Sequence, residues 1–231
     1  MLVHWKPLLE ELRHAERPRL VVVPEPKAEP VSVALLAGSF DPLTVAHAAM
    51  AEAALHRVDL VLLVYSVRTL PKEGAPPASL LGEEERLVVL ERFTANREFG
   101  LAVGLCSHGL IAEQVDAATS RFPDAALAVV LGSDKLLQLL DHRWYEDRDA
   151  MLDPMFSRAR ALYALRAGDE EAVQAALREH DRWLASIERL EISPRVAAVS
   201  SREVRDRIRR GEDVSELIPA GAELDQRGGS S

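Results

Sequence analysis

Apolar and polar positions along this chain alternate between two rhythms. Short apolar runs of strand length occupy 31–37, 58–65, 101–106 and 126–131. Between them lie longer segments, 45–57, 83–96 and 110–122, whose apolar residues recur at helical spacing; Ile111, Val115 and Ala118 make one such stripe. Runs of the first kind, dense in aliphatic and β-branched residues, predict strands buried on both faces of a parallel sheet. For 160–167 length alone leaves strand or helix open. Gly168-Asp169 punctuates its end and a clear amphipathic helix, 169–186, follows, so 160–167 reads as a fifth strand and 187–192 as a sixth. The last helix, 201–210, stops at Gly211, a residue suited to helix ends. This alternation predicts an α/β fold, a doubly wound parallel sheet of five to six strands flanked by helices.

Residues 1–30 read as an appendage packed on that core. Trp5, Leu8, Leu9 and Leu12 set out a short amphipathic helix, 20–23 suits a small strand, and Pro18, Pro24, Pro26 and Pro30 then interrupt the chain. Residues 31–225 form a single domain, with no internal repeat and no separating linker, and the polar, Gly-rich 226–231 form a flexible tail.

The chemistry concentrates where strands give way to helices. After the first core strand comes Gly38-Ser39-Phe40-Asp41-Pro42, and the helix beginning at Val45 follows. Such a turn sets backbone N–H groups and a helix N-terminus at the C-terminal edge of a sheet, where an anion, typically a nucleotide phosphate, is favoured. Thr44 and His47 share one face of the first helical turn. Either can donate to phosphate, His47 with positive charge when the site is anionic. Read alone, His47 is also consistent with a histidine on an apolar helix. No G-x-x-x-x-G-K-[ST] or G-x-G-x-x-G occurs, so neither familiar phosphate loop applies. A second candidate edge is Gly132-Ser133-Asp134, where Asp134 suits ribose hydroxyls or the N-cap of a helix over 135–140. At the third, Ser200 and Ser201 can cap the last helix, with Glu203 completing a capping box if Ser200 is the cap. The loop 66–81 carries Arg68 and Lys72, which without further context are solvated charges.

Composition narrows the partners. The chain has 231 residues, 48% of them hydrophobic, and a net charge of −9; a broad nucleic-acid surface does not fit that charge. Arg202, Arg205, Arg207, Arg209 and Arg210 nevertheless cluster, which suits a small phosphorylated ligand. No apolar run reaches membrane-spanning length and no signal segment opens the chain. A single cysteine, Cys106, excludes an internal disulfide and a thiolate metal site. A cytoplasmic protein that binds neither membrane nor nucleic acid is expected, with a homo-oligomer left open.

Two motifs together carry a resemblance. Gly38-Ser39-Phe40-Asp41-Pro42-x-Thr44-x-Ala46-His47 resembles the G-[ST]-F-[DN]-P-x-[HT]-x-G-H signature of the nucleotidyltransferase superfamily, and Ser200-Ser201-x-x-Val204-Arg205 resembles its second signature. The likeness covers roughly 31–220. Gly132-Ser133-Asp134 with Trp144 ten residues on, and Tyr163-Ala164-Leu165-Arg166-Ala167-Gly168, are most similar to elements of the nicotinamide and nicotinate mononucleotide adenylyltransferases. Departures are Ala46 where many members have Gly and Arg202 where many have Thr; the Tyr-Thr pair often found before the third helix is missing near His108-Gly109.

The resemblance implies transfer of AMP from ATP to the 5′-phosphate of a pyridine mononucleotide, releasing pyrophosphate. It assigns His47 and Thr44 to the α-phosphate. Ser200, Ser201 and Arg205 go to the β- and γ-phosphates, with Lys72 reaching in from its loop. Gly38, Ser39, Phe40, Gly132 and Asp134 belong to the ATP site, and Trp144 and Arg166 to the other substrate, Trp144 stacking on the pyridine. Mg²⁺ arrives with ATP, with no metal site of the protein's own and Asp41 at most touching its shell. Alternatives are a phosphopantetheine adenylyltransferase or other nucleotidyltransferase, or a non-catalytic nucleotide-binding module of the same fold, motivated by Ala46, Arg202 and the N-terminal preface.

Overall fold

The computed structural model describes residues 4–68, 79–95 and 100–224. In chain order its elements are α1 (Trp5–Arg13), β1 (Leu20–Val23), β2 (Ser32–Ala37), α2 (Val45–Leu55), β3 (Leu60–Ser66), α3 (Glu83–Ala95), β4 (Leu101–Cys106), α4 (Ile111–Arg121), β5 (Ala126–Gly132), α5 (Ser133–Leu140), α6 (Arg148–Arg158), β6 (Ala159–Ala164), α7 (Glu170–Glu179), β7 (Ile187–Leu190), α8 (Pro194–Ala197) and α9 (Ser201–Arg209). Among the described residues these strands make one sheet in the order β1-β4-β3-β2-β5-β6-β7. Every neighbouring pair is parallel except β1 and β4.

The core strands are apolar along their whole length because both faces are covered. Along β2, Ala34 and Leu36 point into one apolar layer, with Met50, Ala51, Leu87, Leu90 and Phe93 from α2 and α3. Val33 and Leu35 point into the other, with Val115, Leu136, Leu152, Phe156 and Trp183. Alternation of side chains along a strand thus divides one run between two cores.

Chain order reverses direction across the sheet at β2. From there β3 and β4 extend one way while β5, β6 and β7 extend the other. The crevice at the carboxyl ends of β2 and β5 is therefore a topological switch point, the place where open α/β sheets take ligands. Register brings the turns together there. Leu36 is level with Val130, and Gly132 with Ala164, so the chain leaves β2, β5 and β6 at nearly the same height.

The α/β, doubly wound reading holds, with the small strand 20–23 added to the same sheet. It lies antiparallel on the outer edge, Leu20 opposite Cys106. The strands expected over 160–167 and 187–192 end early, at Ala164 and Leu190, and the helices differ most at three places. The helix expected over 169–186 ends at Glu179 and continues as a 3₁₀ segment, Asp181–Ser186. A short α8, with Pro194 at its start, precedes α9. Finally, α5 begins directly at the end of β5 with Gly132 as N-cap, so Asp134 sits inside the first turn rather than capping a later one.

Candidate active site

The first turn is built around a buried phenylalanine. Phe40 adopts φ 45°, left-handed for a residue with a side chain, which tucks its ring into the core at 1% exposure. A Cβ on Gly38 would stand 2.9 Å from that ring, so only glycine lets the ring fold back beneath the turn. The Phe40 ring meets His47 edge-on, centroids 5.2 Å apart. Its side chain is part of the core beneath the turn, so what Phe40 can offer at the surface is its backbone. Ser39 is exposed, and its carbonyl accepts from Arg86 at 3.3 Å.

Thr44 and His47 form one unit. Thr44, fully buried, is the N-cap of α2, and its backbone N–H donates to His47 Nδ1 at 3.1 Å. The Thr44 Oγ1 lies 2.9 Å from the same nitrogen. An Nδ1 that accepts a backbone proton leaves the neutral ring's own proton on Nε2. Burial first, and then the nearby Arg166 guanidinium, push the His47 pKa down from 6.5 to about 4. The ligand-free imidazole is therefore a neutral donor at pH 7; the positive charge expected from the sequence belongs to a site that already holds an anion. Incoming phosphate charge favours the protonated form and works against both causes.

Asp41 anchors the turn to two neighbours. Its carboxylate accepts from Leu81 N–H at 2.9 Å, Leu80 N–H at 3.1 Å and Ser79 Oγ–H at 3.0 Å, and stands 3.6 Å from Arg86 and 3.8 Å from Arg205. Those oxygens accept three protein donors. From the other side, Ser201 Oγ–H donates to Pro42 O at 2.9 Å, and Arg205, 7% exposed, donates to Asp41 O. Of the three α9 residues given to phosphates, Ser201 and Arg205 thus hold the first turn. Ser200 is the N-cap of α9, accepting from Glu203 N–H at 3.2 Å. The Glu203 carboxylate pairs with Arg207, which replaces the expected capping box.

Arg166 lies just past β6 and donates to Ala198 O at 3.3 Å. Its charge also reaches His47, so it bridges the first turn and the approach to α9. Asp134 is exposed and folds back over Gly132, where a Cβ would come within 2.7 Å of its Oδ1. Trp144 is half-buried in the 3₁₀ segment His142–Trp144; among the described residues no hydrogen bond or ring contact joins it to these turns. Lys72 lies outside the described residues. Arg68 is an exposed loop charge, as expected, and it also donates to Arg13 O at 2.8 Å and Ala15 O at 2.7 Å at the end of α1.

Sequence reading missed Arg86. Its guanidinium gathers Ser39 O, Leu81 O, Ser79 Oγ and the Asp41 carboxylate beside the first turn. The acidic start of α3, Glu83 to Glu85, reads as an ordinary response to the helix dipole and conceals the cation that follows.

Comparison with known proteins agrees with this geometry. Residues 35–207 match the cytidylyltransferase-like family. The chain is 30% identical over 196 residues to the probable nicotinate-nucleotide adenylyltransferase of Bordetella petrii, covering 81% of this chain and 92% of that one. It is 25% identical over 193 residues to the protein of the same name from Lachnoclostridium phytofermentans, covering 81% and 92%. The fold superposes on Plasmodium falciparum nicotinic acid mononucleotide adenylyltransferase complexed with APC with a TM-score of 0.56 at 14% identity, over 83% of this chain and 92% of that one. A switch-point turn with a capped histidine, on a sheet of this order, defines a nucleotide-handling α/β protein. The chain belongs to the cytidylyltransferase-like family of nucleotidyltransferases.

Proposed function

We propose that this chain transfers AMP from ATP to the 5′-phosphate of a pyridine mononucleotide, with nicotinate mononucleotide the first acceptor to test. The acceptor phosphate oxygen attacks the α-phosphorus of ATP. The new P–O bond forms as the bond to the bridging oxygen breaks, and pyrophosphate leaves with the electron pair. The observation that carries the reading is the Thr44–His47 unit at the N-terminus of α2, a neutral Nε2–H donor at the switch point. Names of the relatives support the pyridine acceptor.

In this reading His47 Nε2–H and the α2 N-terminus stabilise charge developing on the α-phosphate, while Ser200 and the start of α9 receive the departing phosphates. Arg166, which the resemblance gives to the mononucleotide, spans the two in this reading. Ser201, Arg205 and Asp41 act through the turn they hold. Preorganised donors of this kind, with two anions aligned in line, supply the catalysis without a covalent intermediate. Mg²⁺ arriving with ATP would be held mainly by the nucleotide phosphates and would neutralise their charge, with Asp41 at most near its water shell.

The test is pyrophosphate release from ATP and Mg²⁺, with nicotinate mononucleotide, nicotinamide mononucleotide and phosphopantetheine offered separately. Release that depends on a pyridine mononucleotide and falls on the order of 10²-fold or more in His47→Ala is expected. Release only with phosphopantetheine, or full activity in the variant, overturns the reading.

A further inference from the structure

The turn that carries Arg166 is stapled from inside by one hydroxyl. Ser133, 0% exposed, donates its Oγ–H to Asp169 Oδ2 at 2.6 Å and accepts the Arg166 backbone N–H at 3.1 Å. The turn also closes on itself, Asp169 N–H to Arg166 O at 3.2 Å. It bends at Gly168, whose φ of 93° is a conformation that suits glycine. Asp169 is the N-cap of α7, a position where aspartate ordinarily turns its carboxylate onto the first N–H groups of the helix. Here it makes no such bond. The carboxylate is turned instead toward the start of α5.

We infer that Ser133 and Asp169 form a positioning pair that aims the Arg166 guanidinium between the His47 turn and the start of α9. A single buried oxygen fixes both ends of the turn, so the guanidinium leaves a backbone that is held from below. It reaches Ala198 O, two residues before the Ser200 cap. Its effect on His47 agrees with that direction. What is positioned is a phosphate contact, which rests on the adenylyltransfer reading above; the geometry itself belongs to the ligand-free protein.

The experiment compares Ser133→Ala, Asp169→Ala, their double variant and Asp169→Asn in the full chain. Each Ala variant is expected to raise the KM for ATP about tenfold or more with a much smaller fall in kcat. Because the two residues act as one unit, the double variant is no worse than either single. Asp169→Asn keeps an acceptor for the Ser133 hydroxyl and restores most of the KM. In the ligand-free protein the His47 ring resonances, followed by NMR against pH, titrate at a higher pH in Ser133→Ala, because the Arg166 charge has swung away. Additive losses in the double variant, an unmoved His47 titration in a folded Ser133→Ala, or no rescue by Asn overturns the pair. If wild-type protein releases no pyrophosphate, the adenylyltransfer reading fails, while the His47 titration still decides the pair.

Discussion

At the scale of the residue, His47 shows how little of a site lies in its own side chain. The spacing of Thr44 and His47 announces a shared helical face, and the structure closes it with His47 Nδ1 accepting the Thr44 N–H. What spacing cannot carry is the burial and the charge of Arg166, which arrives from another strand. Together these lower the pKa from 6.5 to about 4, and that has a consequence for stability. Above pH 6.5 neither folded nor unfolded chain protonates this ring, so it contributes no pH dependence. Between about pH 6.5 and 4 the unfolded chain gains a proton that the folded chain refuses, so stability falls as pH drops, by up to about 3 kcal/mol, and levels off below 4. His47→Gln keeps an acceptor for Thr44 N–H and removes the titration. Urea midpoints at pH 7.5 and pH 4.5 are expected to separate less in His47→Gln than in wild type. Equal separations would mean that the ring titrates normally.

At the scale of the element, α9 is more a brace than a ligand arm. The second signature was legible as residue types, and α9 and its Ser200 cap were placed from the sequence within a residue or so. The targets of its side chains were not legible. Ser201 and Arg205 find carbonyls of the 41–42 turn, a partnership made only by the tertiary fold. Arg205 is almost wholly buried beside Asp41, and among the described residues its Nε has no hydrogen-bond partner. An arginine in that setting stabilises through its charge-assisted bond to Asp41 O. Removing it leaves that carbonyl unpaired and weakens the compensation of a buried carboxylate. Arg205→Met is therefore expected to lower the free energy of unfolding by about 2–4 kcal/mol in urea titration as well as slowing turnover. A variant that loses turnover with unchanged stability would return Arg205 to the role of a direct phosphate ligand.

At the scale of the whole molecule, the first segment of the chain is structural edge as well as cover. Its apolar helix pattern and the four-residue strand were both visible in the sequence. Their destination was not, because an antiparallel pairing to β4 follows from no local signal. Trp5, Leu9 and Leu12 are buried in the layer that holds Leu87 and Phe93, and Trp5 Nε1–H donates to Glu91 at 3.1 Å. Arg68 caps the end of α1, and Ser107 Oγ accepts from Arg19 N–H at 2.9 Å beside the paired β1 and β4. Two losses should follow from deleting residues 1–23. One face of the α3 layer loses its cover, and β4 presents an unpaired edge, a template for another chain. The milder variant Trp5→Ala removes that packing and the bond to Glu91 but leaves β1 in place, and is expected to cost about 3–5 kcal/mol with the chain still monodisperse by light scattering. The truncated chain is expected to associate, with the association relieved by charged substitutions along β4 only at the expense of its own fold. A truncated chain that stayed monodisperse and as stable as the full one would place β1 outside the folding unit, and the antiparallel edge would then be decoration on a six-stranded parallel sheet.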